Sequence, residues 1–142
     1  MGKTIDRLEY LRVMADKGVK QRKHHADEEH NLQTSCVKWF RLQYPEYADR
    51  LVAIPNGGKR DATTGAKLKA EGVVAGVADL MLAITTQHYG ALFIEMKTEK
   101  GRQSEAQKRW EESITKDRYK YIVCRSLDDF EVQITRYISN QK

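Results

Sequence analysis

Cysteine is scarce in this 142-residue chain: only Cys36 and Cys124 occur, both inside apolar stretches. Two thiols cannot form a disulfide framework, so they read as reduced core residues of a cytoplasmic protein. No stretch approaches the ~20 apolar residues that span a bilayer, which excludes a membrane-spanning helix. The opening residues, MGKTIDRLEYLR, have neither the apolar run nor the small-residue cleavage site of a secretory signal. Asp6 occupies the position where a myristoylation pattern needs Ser or Thr. Internal repeats, low-complexity tracts and long linkers are also lacking, which leaves a single compact domain. Strong charge of one sign is absent as well: 25 Lys and Arg stand against 20 Asp and Glu, a net of +5. A pI near 9.2 permits a polyanionic partner without establishing one.

What is present is clear periodicity. Ile5, Leu8, Leu11 and Met14 form a helical stripe over Thr4 to Lys17, with Gly18 as the expected stop. A basic connector, Lys20 to His25, follows. From Asp27 the helical period resumes through Leu32, Cys36, Trp39 and Phe40, and Pro45 closes it. The domain division expected on this basis is an N-terminal helix and connector over residues 1–26, then the main body over 27–142. Arg50 to Ile54 reads as a strand, and Ala66 to Ala70 as a short helix after a loop. Val77 to Thr85 and Ala91 to Lys97 are β-rich runs that predict an antiparallel hairpin. Ser104 and Gln107 have capping-box spacing and open a helix bearing Ala106, Trp110 and Ile114. Tyr119 to Cys124 is the last strand. Ser126 caps a final helix with Leu127, Phe130, Ile134, Tyr137 and Ile138 on one stripe. The expected fold class is α/β with a mixed sheet flanked by helices.

The chemistry lies in Gly76-Val-Ala-Asp79-Leu80 and Phe93-Ile-Glu95-Met-Lys97. On a strand, residues two apart share a face, so Glu95 and Lys97 point together and Met96 points away. A hairpin centred on Gln87 puts Asp79 beside Glu95. Adjacent carboxylates repel unless a cation lies between them. Carboxylate oxygens in an incomplete set suit Mg²⁺ or Mn²⁺, which retain waters and bind phosphate too. Such an ion polarises a phosphoryl oxygen and activates water, and Lys97 would offset charge building up on the phosphate.

These blocks resemble the PD-(D/E)XK nuclease superfamily and, within it, the VRR-NUC (virus-type replication-repair nuclease) family. The resemblance runs from about Asp27 to Ile138. It rests on Glu29-x-x-x-Gln33, Ile54-Pro55-Asn56 with Arg60, Gly76 to Leu80, Ile94 to Thr98, and Ser104-x-x-Gln107-x-x-Trp110. Ala78 departs from the proline often found before the motif Asp in this family, and removes no functional group. The resemblance implies a restriction-endonuclease-like core, here with an extra N-terminal helix. It implies metal binding by Asp79, Glu95 and the Met96 carbonyl, with Glu29 acting through a water. Catalytic roles fall on Glu29, Asp79, Glu95, Lys97 and Gln107. The rival role for Glu29 is complementing a helix N-terminus, which Glu28 serves equally well, and Gln107 can equally serve Ser104 as its capping partner.

Basic residues flank this centre on both sides: Lys59, Arg60, Lys67 and Lys69 before it, Lys100, Arg102 and Lys108 after it, with Asn56 allowing close approach. They are the expected contacts to DNA phosphates. No recognition helix or RNA-binding aromatic motif accompanies them, so backbone recognition is expected rather than base reading. His24, His25 and His30 fit no common zinc spacing. The expected function is a Mg²⁺- or Mn²⁺-dependent structure-specific endodeoxyribonuclease. Its leading substrate is a four-way (Holliday) junction, cut by a homodimer in the cytoplasm. The alternatives are a non-catalytic DNA-binding module on a nuclease fold and a restriction-like duplex nuclease.

Overall fold

The computed structural model describes residues 7–55 and 62–141, except for the side chains of residues 7, 9–11, 13, 14, 16–23 and 62. Asn56, Lys59 and Arg60 lie outside the described residues. Helix α1 spans Arg7–Gln43 without interruption. The expected stop at Gly18 and the separate basic connector are therefore replaced by one helix. An interior glycine costs only about 1 kcal/mol relative to alanine, and helix-favouring Lys, Gln and Arg follow it within a turn. A 3₁₀ turn, Pro45–Arg50, leads into β1 (Leu51–Ala53). Then come α2 (Ala62–Ala70), β2 (Leu80–Leu82), β3 (Ala91–Met96), α3 (Glu105–Thr115), β4 (Tyr119–Cys124) and α4 (Leu127–Ser139).

The four strands form one sheet in the order β1-β2-β3-β4. β1 with β2 and β2 with β3 are antiparallel, whereas β3 and β4 are parallel, with α3 as the crossover. The hairpin pairs Leu80 with Ile94 and Leu82 with Leu92, so its centre is residue 87, as the sequence predicts. β2 is shorter than the expected Val77 to Thr85. Asp79 sits just before it, with its carbonyl accepting from Ile54 N–H at 2.8 Å.

Strand alternation separates two faces. Leu80, Leu82, Leu92, Ile94, Met96, Ile122 and Cys124 point to the main core and meet Cys36 and Phe40 of α1 and Phe130, Ile134 and Tyr137 of α4. The opposite face presents Phe93 and Tyr121 to Trp110 of α3, with ring centroids 5.0 and 6.2 Å from the indole. Glu95 belongs to this second face. Beneath the first face, Tyr137 donates its hydroxyl to the Ile84 carbonyl at 2.6 Å, which satisfies the one polar group on its ring.

Candidate functional site

Four segments meet at the C-terminal end of β3. The first is the approach to β2. α2 ends in a Schellman arrangement, with Val73 N–H bonding the Leu68 carbonyl and Gly72, at φ +103°, bonding that of Lys69. The chain then passes Gly76, at φ +88°. A β-carbon there would lie 2.4 Å from the Ala106 backbone and 2.8 Å from Gln107 N. Only glycine permits this approach, so the segment carrying Asp79 is seated directly on the first turn of α3.

Asp79 Oδ2 accepts from Met96 N–H at 2.7 Å, which ties it to the end of β3. Glu95 is 2% exposed. Its Oε1 accepts from Gln107 Nε2 at 2.8 Å and lies 3.6 Å from Lys97 Nζ. Its Oε2 is buried with no hydrogen-bond partner. Burial pushes the Glu95 carboxyl up to about 8, helped by the neighbouring Asp79 charge and by a hydrogen bond to Asp79, while Lys97 opposes the shift. When Glu95 is neutral, it shares its proton with Asp79. When it is ionised, two acceptors face one another and Oε2 has no donor.

Gln107 serves as the capping partner of Ser104 and also bonds to Glu95. Its Oε1 accepts from Ser104 N–H at 2.8 Å, its own N–H donates to Ser104 Oγ at 3.2 Å, and its Nε2 reaches Glu95. The capping box thus fixes the amide and aims its NH₂ group at the carboxylate. Glu29, on α1, approaches the pair from the groove between α1 and the end of the sheet. Its carboxyl is raised first by burial and lowered by Lys97, with Asp79 raising it and the Thr98 N–H lowering it. It therefore lies within electrostatic reach of Lys97 and Asp79 and within hydrogen-bond reach of Thr98.

Thr98 is the hub of the turn after β3 and is 7% exposed. Its hydroxyl lies 3.4 Å from His25 Nδ1. Arg125 donates from one guanidinium nitrogen to the carbonyls of Thr98 (2.8 Å), Glu99 (3.3 Å) and Gly101 (2.6 Å). This staple holds the segment that carries Lys97, and sequence reasoning missed it because its acceptors are backbone carbonyls. Of the expected DNA contacts, Lys67 and Lys69 stand on the last turn of α2, and Lys100 and Arg102 are exposed after β3. Lys108, on α3, is exposed and lies 3.4 Å from Glu105. These five do not bond to the acidic pair among the described residues.

A buried carboxylate with one unpartnered oxygen, beside a second carboxylate, suits a cation. The donor set is hard oxygen, and the orphaned Oε2 has a lone pair to offer. Among the described residues, no three His, Cys, Asp or Glu side chains gather into a ready metal cage. The centre is an open pair that leaves coordination positions for water or substrate. Next to it runs an open groove of about 390 Å³ between α1 and the end of the sheet, bordered by Glu29, Gln33, Thr34, Asp79 and Met96.

Comparison with known proteins agrees with this fold. The VRR-NUC domain family matches residues 20–128, well over half of the chain. The solved structure of a VRR_NUC domain protein is similar to this chain at 28% identity and a TM-score of 0.71, covering 80% of this chain and 90% of that one. No curated protein matches. The chain belongs to the VRR-NUC family, and its domain is a nuclease of the PD-(D/E)XK type.

Proposed function

We propose that this protein is a Mg²⁺- or Mn²⁺-dependent endodeoxyribonuclease that cuts branched DNA, with a four-way junction as the leading substrate. The observation that carries this reading is the buried Glu95 carboxylate, with its unpartnered Oε2, beside the half-buried Asp79. Asp79 and Glu95 would hold the ion, with the Met96 carbonyl beside them and Glu29 acting through a water. When bound, such an ion supplies Lewis-acid polarisation of the phosphoryl oxygen and activation of water.

The chain's own groups do the remaining work. Gln107 fixes the orientation of Glu95 by donating to Oε1. Lys97 places an ammonium beside the carboxylate, where it offsets charge that develops on the phosphate in the transition state. Lys67, Lys69, Lys100, Arg102 and Lys108, together with Asn56, Lys59 and Arg60, which lie outside the described residues, hold flanking phosphates. Contact to the backbone alone favours recognition of shape over sequence. Paired cuts in a junction need two centres and the chain carries one, which supports a C2 homodimer.

Asp79→Asn and Glu95→Gln are each expected to lower metal-dependent cleavage of a labelled four-way junction by more than about a hundredfold. Gel-shift affinity for the same DNA should change little. Substantial cleavage by either purified variant would sink the assignment. Equal cutting of plain duplex and junction would replace the branched substrate with a duplex one.

A further inference from the structure

The groove beside the acidic pair is larger than a phosphate needs. It runs along α1 from Ala26 past Glu29, Gln33 and Thr34 to Val37, with Asp79 and Met96 on the facing wall and His30 exposed at its border. Glu29 to Val37 is eight helical steps, or about 12 Å. Its volume of about 390 Å³ falls within the ~300–1,000 Å³ typical of small-molecule sites.

The chemistry of the wall selects the occupant. Two carboxylates, Glu29 and Asp79, line it, and no lysine or arginine is among the described lining residues. A second phosphate placed there would face acids with no guanidinium or ammonium to hold it. Apart from the acids the wall is uncharged but for the imidazole of His30 at its border: the Gln33 amide, the Thr34 hydroxyl, Val37, Ala26 and Met96. In a polynucleotide, the neutral part with both apolar faces and hydrogen-bonding edges is the nucleobase. Gln33 has a donor and an acceptor on one amide, so it can meet any base edge without choosing among them.

A base can enter only if it is free of its partner and its stack. Extracting one from a duplex costs a few kcal/mol, and least where it is already unpaired. Resting on the nuclease reading above, we propose that this groove takes the nucleobase of an unpaired nucleotide adjoining the scissile phosphate, and so favours DNA with a single-stranded or branched cut site. The preference for branched DNA then comes from a pocket beside the chemistry as well as from the outer basic residues. Since no aromatic ring other than the imidazole of His30 is among the described lining residues, the groove accommodates the base mainly by edge and apolar contact rather than by stacking.

The experiment uses the full chain, Mn²⁺ and a junction whose cut position has been mapped. The base on each side of the cut is replaced in turn by an abasic site. Wild-type cleavage is expected to fall about tenfold at one of the two positions. Thr34→Trp, at an exposed helix position, fills the groove without entering the core. It is expected to cut intact and abasic DNA alike, at the wild-type abasic rate. Gln33→Ala should narrow the difference and serves in its place if the tryptophan variant misfolds. 2-Aminopurine at the sensitive position, bound in Ca²⁺, should brighten with wild type and stay dim with Thr34→Trp. Equal wild-type cleavage of intact and abasic DNA, or full discrimination retained by the variants, overturns the proposal and leaves the nuclease reading standing. Absence of cleavage on every DNA tested removes both.

Discussion

Glu95 pays for its position with its charge. Its carboxyl titrates near 8 in the folded protein against an ordinary value of 4.5, with burial as the main cause. Between those values the native state binds a proton that the unfolded chain has already lost. Stability from this group is therefore complete below pH 4.5 and is lost as pH rises to about 8. The melting temperature in EDTA should fall across that window, and Glu95→Gln should flatten the fall. Because ligands must be deprotonated, the proposed cation would displace that proton on binding. Added Mg²⁺ should raise the melting temperature more at about pH 8 than at about pH 5.5. A wild-type melting temperature that rises between about pH 5 and about pH 8 in EDTA would contradict this picture.

At the level of elements, the site depends on how closely the approach to β2 lies against α3. Gly76 has a left-handed backbone and no room for a side chain, so Gly76→Ala combines strain with overpacking against Ala106 and Gln107. Urea unfolding should show a loss of about 2–4 kcal/mol, together with reduced cleavage. Gly65 is the control. It lies within α2, and a β-carbon added there would meet open space, so Gly65→Ala should be neutral or stabilise by up to about 1 kcal/mol. Much of this arrangement was legible beforehand, because hydrophobic period and hairpin symmetry are written in residue spacing. The stripe through Cys36 and Phe40, the register around residue 87 and the Ser104–Gln107 cap were all readable in that way. Other features depend on groups that spacing does not display. Gly18 lies inside α1 because a single glycine costs less than breaking a long helix. β2 begins only at Leu80, where the Asp79 side chain has turned to Met96 N–H. Arg125 bonds to carbonyls that every residue possesses, so no residue pattern announces it.

For the whole molecule, the net charge of +5 understates the contrast between an acidic centre and the basic residues near it in sequence. The proposed homodimer is checked by light scattering at concentrations that support cleavage, where the mass should be near twice the 16.4 kDa chain. A single-chain mass under those conditions would predict nicking of a junction rather than paired cuts. One further property follows from the core itself. Cys36 on α1 and Cys124 on β4 are both fully buried, and both thiols are raised by burial, Cys36 to about 12. A thiol in that state is inert to alkylating reagents until it meets solvent as a thiolate. The helix that brings Glu29 to the site carries Cys36 into the same core cluster that holds Cys124. Their alkylation rate is thus a native stopwatch for how often α1 lifts from the sheet, readable without adding any label to the protein.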